Sequence, residues 1–167
     1  MDNIDIFFKC KQSLPELLCE DIISIFKTEK SLNTNWLNIP KQNTKWEKIE
    51  RIVYKELLVN LKKYKDELLK SVNIEENIEE NIKLLSELNN ELFVKDFTIQ
   101  NIEQENKIRR TNNRHNVLTF IYYLNNDDNK HNVGDLLLLR DPLNNNILKT
   151  SNCKYVITGQ LCSKNVV

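Results

Sequence analysis

Hydrophobic positions divide the chain into a first part with helical spacing and a second part with strand-like runs. In the first ninety residues, apolar side chains recur three and four positions apart, as on one face of an amphipathic helix. After Asn90 the period changes, and runs of β-branched, aromatic and leucine residues are separated by turn-forming asparagine and aspartate. This pattern predicts a mainly helical part over 1–90 and a β-core over 91–167.

Two of the predicted helices have recognisable starts and one apolar face each. The first starts at a capping box formed by Ser13 and Glu16, and the second at a capping box formed by Thr44 and Glu47. The second extends to about residue 72. The apolar face of the first helix consists of Leu18, Ile22, Ile25 and Phe26. The stripe of the second consists of Trp46, Ile49, Val53, Leu57, Leu61, Tyr64 and Leu68.

A weaker helix is predicted in the segment "NIEENIEENIKLLSELNNEL". Its apolar edge consists of Ile74, Ile78, Ile82 and Leu85. A polar loop containing Trp36 and Pro40 is expected between the first two helices. The long stripe of the second helix has two interpretations: it packs in the core of this chain, or it pairs with a helix of a partner.

Four strands are predicted after Asn90. Their segments are "LFVKDFTIQNIE", "VLTFIYYL", "GDLLLLR" and "KYVITGQLC". Two of these runs are almost continuously apolar, which is typical of strands buried on both faces. The segment "ENKIRRTNNR" between the first two is predicted to be a basic, polar loop.

Composition narrows the class of protein. At 167 residues the length fits a single domain over 1–167. The 24 acidic and 24 basic residues balance, which argues against nucleic acid or an anionic membrane as partner. No apolar run approaches the ~20 residues that cross a bilayer, and the acidic start "MDNIDIFFKCKQ" does not resemble a signal peptide. The four cysteines contain no C-x-x-C pair, so an intracellular protein with reduced thiols is expected.

The order of these segments resembles a known family. "LPELLCEDIISIF", a long helix, "FTIQ", "NNRHNVLTFIYYLN", "GDLLLL" and "KYVITG" follow one another as in the prolyl 4-hydroxylase-like branch of the 2-oxoglutarate, Fe(II)-dependent dioxygenases, notably versions carried by large DNA viruses. The resemblance covers nearly the whole chain. It implies an α+β fold, with N-terminal helices packed on a trimmed double-stranded β-helix or jelly-roll-like barrel.

The iron ligands that the resemblance implies are missing from the sequence. The family holds Fe(II) with a His-x-Asp or His-x-Glu pair and a second histidine, which leave open positions on the metal. The interval before "VLTFIYYLN" contains no such pair, and "RDPLNNNILKTSNCK" contains no histidine. The histidines of the chain, His115 and His131, do not match the ligand positions. A nonstandard site would need one of them together with a carboxylate such as Glu103 or Glu105.

The co-substrate side of the resemblance is partly kept. Lys154, at the start of "KYVITG", matches the basic residue that binds the distal carboxylate of 2-oxoglutarate in the family, which makes it the one candidate cofactor-binding residue. Ile102 and Gln160 stand where the family commonly has a tyrosine and an aromatic residue. The alternative interpretation is that Lys154 is an ordinary lysine at the end of a strand.

These observations favour a non-catalytic scaffold or interaction protein with a degenerate dioxygenase fold. We expect no bound metal or cofactor, although the family uses Fe(II) and 2-oxoglutarate. The sequence leaves an unknown protein partner open and argues against nucleic acid and membrane as partners. An intracellular, non-secreted protein is expected, in the host cytoplasm or virion if the chain is viral. The alternative is an active 2-oxoglutarate-dependent hydroxylase with a nonstandard metal site.

Overall fold

The structure is a computed structural model and describes residues 6–29, 36–39, 44–71, 78–101, 116–125, 133–140 and 154–163. The helices of this part of the chain are α1 (Glu16–Glu29), α2 (Thr44–Ser71) and α3 (Ile78–Leu88). Its strands are β1 (Ile6–Cys10), β2 (Trp36–Asn38), β3 (Leu92–Asn101), β4 (Asn116–Tyr123), β5 (Leu136–Arg140) and β6 (Tyr155–Ser163). The α+β class and all four predicted strands are confirmed.

The described strands form one antiparallel sheet whose spatial order differs from their order in sequence. The order is β1-β5-β4-β6-β3-β2, so the last strand lies between β4 and β3. Such a nested order arises when the chain returns to a sheet through Greek-key-type connections. The central strands β4 and β6 are thereby shielded by neighbours on both sides.

One face of the sheet, which we call the first face, packs against the helices. It carries Phe120 and Tyr122 of β4, Leu138 of β5 and Ile157 of β6, which lie in one hydrophobic cluster with the buried residues of all three helices. All seven residues of the predicted stripe on α2 are at most 5% exposed. Burial of each such side chain contributes about 1.5–3 kcal/mol, and it assigns this stripe to the core of its own chain rather than to a partner helix.

The two shorter helices deviate in detail from the predicted apolar faces. On α1 the most buried positions include Cys19 as well as Ile22 and Phe26. On α3 the buried face contains Leu84, Leu85 and Leu88, whereas Ile82 is 50% exposed, so its assignment to the apolar edge was wrong. A four-residue repeat of isoleucine drifts around a helix of 3.6 residues per turn, and the leucines that follow it meet the core instead.

Two strands in the first ninety residues were not predicted. β1 pairs with β5, and β2 pairs with β3 inside the segment expected to be a polar loop around Trp36. Both are edge strands of the sheet, so the part of the chain before residue 90 is not purely helical. They are only five and three residues long, too short for a period-2 pattern to stand out.

The connection between β1 and α1 is fastened to the turn before β5. The backbone N–H of Leu14 donates to the carbonyl of Gly134 (3.1 Å), and the N–H of Gln12 donates to a carboxylate oxygen of Asp135 (2.9 Å). Gly134 has φ +86°, and a Cβ there would lie 2.1 Å from the carbonyl oxygen of Leu14. Both the positive φ and the close approach require glycine at this position.

A small polar network lies between the first face and α2. The Asn60 amide donates to Ser13 Oγ (2.8 Å), which lies 3.2 Å from the hydroxyl oxygen of Tyr122. Burial raises the pKa of the Tyr122 hydroxyl well above its usual range, and the hydrogen bond to Ser13 opposes this shift. Ser13, predicted to cap α1, therefore has its hydroxyl beside two buried polar groups from distant parts of the chain.

The opposite face of the sheet, which we call the second face, is buried as well. Ile121 and Tyr123 of β4 are fully shielded, as are Leu137 and Leu139 of β5 and Val156 of β6. Burial of both faces agrees with the interpretation of the apolar runs. In the described part of the chain, no helix is long and apolar enough to span a membrane. Of the four cysteines, Cys10, Cys19 and Cys162 are described, and none of these three is in a disulfide bond.

Candidate functional site

The centre of the second face is polar although it is buried. Thr119 of β4 lies directly opposite Gln160 of β6, and Gln160 lies directly opposite Lys95 of β3. Opposite residues of an antiparallel pair extend to the same face, so these three side chains form a row across the middle of the sheet. Thr119 and Gln160 are at most 1% exposed, and Lys95 is half-buried.

Two members of this row have hydrogen-bonding atoms without a partner. Both amide atoms of Gln160 and the hydroxyl oxygen of Thr119 are shielded from solvent, and no hydrogen bond reaches them within the described structure. Such an atom typically costs about 1–3 kcal/mol when it is left unsatisfied in a protein interior. Native proteins contain few of them, and a cluster on one face marks a place where another hydrogen-bonding group can be bound.

The next row toward the start of β6 is satisfied. Thr158 lies opposite Thr98 of β3, and their hydroxyl oxygens are 3.2 Å apart. The hydroxyl of Thr98 also donates to the carbonyl of Asp96 (3.1 Å). Because the Thr98–Thr158 and Thr119–Gln160 pairs lie on the same face and differ in this way, the unsatisfied atoms belong to the Thr119–Gln160 position and are not a general property of the face.

Charge near this row comes from β3. Cys162 lies two positions after Gln160 on β6, on the side opposite to Thr158. Burial raises the pKa of its thiol, and the Lys95 ammonium opposes that shift. Lys95 therefore lies close enough to act electrostatically on the second face. The row can donate a hydrogen bond from an amide, accept one at an amide oxygen or a hydroxyl, and favour a negative charge.

Lys154, the predicted anchor for a carboxylate, lies one residue before β6. Its side chain is exposed, and its backbone N–H donates to the side-chain oxygen of Asn125 (3.0 Å). Asn125 also accepts from the N–H of Tyr155 (2.9 Å), so it fixes the end of β4 to the start of β6. Lys154 and Gln160 lie six positions apart along the extended chain, and the structure does not bring them together.

The donors on the second face do not fit an iron site of the dioxygenase type. Fe(II) in that family takes two imidazoles and a carboxylate, whereas the central row offers an amide, a hydroxyl and an ammonium. Among the described residues, no three His, Cys, Asp or Glu side chains lie close enough together to hold a metal. His115, His131, Glu103 and Glu105 lie outside the described residues.

Comparisons with models of protein families, with curated proteins and with solved structures found no match for this chain. The resemblance to the 2-oxoglutarate dioxygenases therefore stays a prediction from the order of the sequence segments.

Sequence reasoning singled out Lys154 and missed the Thr119–Gln160 row. A signal was present in the strand segments, because "VLTFIYYL" and "KYVITGQLC" each place a polar residue among apolar ones. A glutamine in a strand that is buried on both faces needs a hydrogen-bonding partner. That the threonine and the glutamine are neighbours depends on the register of β4 and β6, which the sequence does not reveal.

Proposed function

We propose that the protein is a non-catalytic relative of the 2-oxoglutarate dioxygenases and acts as an interaction protein. In this proposal the sheet is one half of a trimmed double-stranded β-helix, and its second face recognises a bound group by hydrogen bonds. The observation that carries the proposal is the buried Thr119–Gln160 pair, whose polar atoms lack partners in the described structure.

The architecture supports the β-helix part of the proposal. A sheet covered by helices on one face alone leaves its other face in water, with polar side chains in alternate positions. Here the second face is buried, as in sandwiches and jelly rolls, where a second layer packs on it. The nested strand order is also one that jelly-roll connections produce.

The chemistry of the second face supports the non-catalytic part. Hydroxyl and primary amide groups bind and orient a partner, but neither is an acid or a base near neutral pH. Lys95 would favour a partner group with a negative charge, such as a carboxylate. The row is therefore suited to recognition.

Calorimetric titration under anaerobic conditions tests this proposal. We expect no binding of Fe(II) at micromolar concentration, with or without 2-oxoglutarate. A micromolar Kd for Fe(II) would overturn the proposal and favour the hydroxylase alternative. In that case, oxygen-dependent release of succinate should be lost in His115→Ala or His131→Ala.

The same titration tests Lys154. If this lysine anchors a carboxylate, 2-oxoglutarate alone should bind weakly, and Lys154→Ala should abolish the binding. Lys62→Ala, which removes an exposed lysine on α2, is the matched control and should leave the titration unchanged. Equal effects of the two variants would show that Lys154 is an ordinary surface lysine.

A further inference from the structure

A separate cleft lies on the helical side of the sheet, between the first half of α2 and the start of β3. Its volume is about 510 Å³. Sites for small organic molecules usually measure about 300–1,000 Å³ and combine apolar or aromatic walls with a few polar groups. The cleft has this composition, with Val53, Tyr54 and Leu57 on the helix side.

Aromatic rings from the sheet form the floor of the cleft. The ring of Phe120 extends over Gly159 of the neighbouring strand, where a Cβ would lie only 2.4 Å from Cζ of the ring. Phe97 packs edge-on against Phe120 with ring centroids 6.1 Å apart. Phe97 follows Asp96, which has φ +56° at an irregularity in the pairing of β3 with β6. The absence of a side chain at Gly159 and this bulge together place both rings in the cleft.

The charged side chains of α2 that line the cleft differ in their exposure to solvent. Arg51 and Glu47 form an exposed pair near its rim, with 3.6 Å between guanidinium nitrogen and carboxylate oxygen. Glu50 is half-buried, and its Oε2 atom is shielded from water without a hydrogen-bond partner in the described part of the chain. The cleft therefore has two carboxylates, one guanidinium, and one buried carboxylate oxygen that is unsatisfied.

These features select a class of ligand. An anion would meet two carboxylates, and a neutral apolar molecule would leave the Glu50 oxygen buried and unsatisfied. A divalent metal ion would need several oxygen ligands, which aromatic and aliphatic walls cannot supply. An organic cation fits both the carboxylate and the aromatic walls of the cleft. Its charge pairs with the carboxylate and is also attracted to the ring faces, and its apolar body packs against the rings.

We propose that this cleft binds a small organic cation with an apolar body, such as an aryl-alkyl amine. Glu50 holds the ammonium group, and Phe97 and Phe120 contact the body of the ligand. The site is on the opposite side of the sheet from the Thr119–Gln160 row and does not depend on the function proposed for that row.

Calorimetry with two probes of the same shape tests the proposal. 2-Phenylethylamine carries the cation, and 2-phenylethanol replaces it with a hydroxyl. We expect the amine to bind about tenfold tighter, because a charge-assisted hydrogen bond exceeds a neutral one by roughly that factor. Glu50→Gln should remove the difference between the probes, whereas Phe97→Leu should weaken both to a similar extent.

Glu67→Gln is the matched control, since Glu67 is an exposed glutamate farther along α2 and outside the cleft. It should change neither affinity. Circular dichroism of each variant checks that α2 is intact. The proposal is overturned if the amine shows no binding at millimolar concentration, if it binds no tighter than the alcohol, or if Glu50→Gln and Glu67→Gln have the same effect.

Discussion

The two faces of the sheet are equally buried, but they are built from different chemistry. The first face packs apolar and aromatic side chains against three helices, and its polar network of Ser13, Asn60 and Tyr122 is linked by hydrogen bonds, with Oδ1 of Asn60 left without a hydrogen-bond partner in the described structure. The second face places Thr119 and Gln160 at its centre with polar atoms that no described group satisfies. Burial alone therefore does not distinguish a face whose polar groups are hydrogen-bonded from one whose central polar groups are not.

This difference between the faces should affect the free energy of unfolding. On the first face, each buried side chain is expected to stabilise the protein, and changing its volume should cost free energy. On the second face, the unsatisfied polar atoms are expected to destabilise the protein until a partner is bound. Removing an unsatisfied polar group from the second face should thus shift the free energy of unfolding in the opposite direction from disturbing the packing of the first face.

The largest effect is expected from Gly159→Ala on the first face. The new Cβ would lie 2.4 Å and 2.5 Å from two carbons of the Phe120 ring, which is itself packed edge-on against Phe97 and Tyr122. Displacing this ring should lower the free energy of unfolding by about 1–3 kcal/mol. Urea denaturation measures the change.

Phe120→Leu in the Gly159→Ala background provides the control, because a smaller side chain leaves room for the added methyl group. The double variant should lose less than the sum of the two single losses. A loss below about 0.5 kcal/mol for Gly159→Ala would show that the ring moves freely, and the first face would then not be tightly packed.

A smaller effect of opposite sign is expected on the second face. Thr119→Val keeps the shape of the side chain and removes a hydroxyl that has no partner in the described structure, so stability should stay constant or rise by about 1 kcal/mol. Thr158→Val breaks the 3.2 Å contact with Thr98 and should cost about 0.5–1.5 kcal/mol. The two valine variants are compared by urea denaturation. If both lower stability equally, Thr119 is satisfied in solution and the contrast between the faces fails.

The smallest effect is expected when the pH is raised, and it concerns Tyr122 on the first face. The pKa of Tyr122 is raised in the folded protein, so the folded state retains a proton that the unfolded state loses above about pH 10. Its contribution to stability is complete below that pH and is lost as the pH rises further. Between pH 10 and 11 the loss is on the order of 1 kcal/mol.

Tyr122→Phe isolates this contribution. The variant should lose some stability at neutral pH with the contact to Ser13, and it should then fall less steeply than the unmodified protein above pH 10. Denaturation curves at a series of pH values give both slopes. Parallel slopes would mean that Tyr122 ionises as easily when folded, which is incompatible with its burial. Cys10 and Cys162, whose pKa values are also raised, affect both proteins alike from about pH 9.

The sequence predicted those parts of the fold in which one element carries a long pattern of its own. The stripe from Trp46 to Leu68 repeats over about six turns of α2 and is buried throughout, and the four runs after Asn90 are the strands β3 to β6. In each case the pattern is local and long enough to exclude other periods.

Features that depend on distant partners could not be predicted in this way. β1 and β2 are strands because β5 and β3 offer them hydrogen bonds, and Ser13 meets Tyr122 across 109 positions of sequence. The candidate site has the same origin, since the neighbours of Gln160 come from strands on either side of it. Lys154 was recognised because it belongs to a contiguous segment, and its role stays a prediction.

The hydrogen bond between Leu14 and Gly134 also affects when the protein can fold during biosynthesis. The strand that pairs with β1 and the Gly134 carbonyl that accepts from Leu14 are present only after the residues up to Arg140 have been added, and the central strand β6 is complete only at Ser163. All three helices are complete by Leu88. At usual translation rates, the sheet that covers their apolar faces is completed on the order of ten seconds later. The nascent chain must therefore be protected from aggregation over that interval, and the sheet can close only after Ser163 has been added.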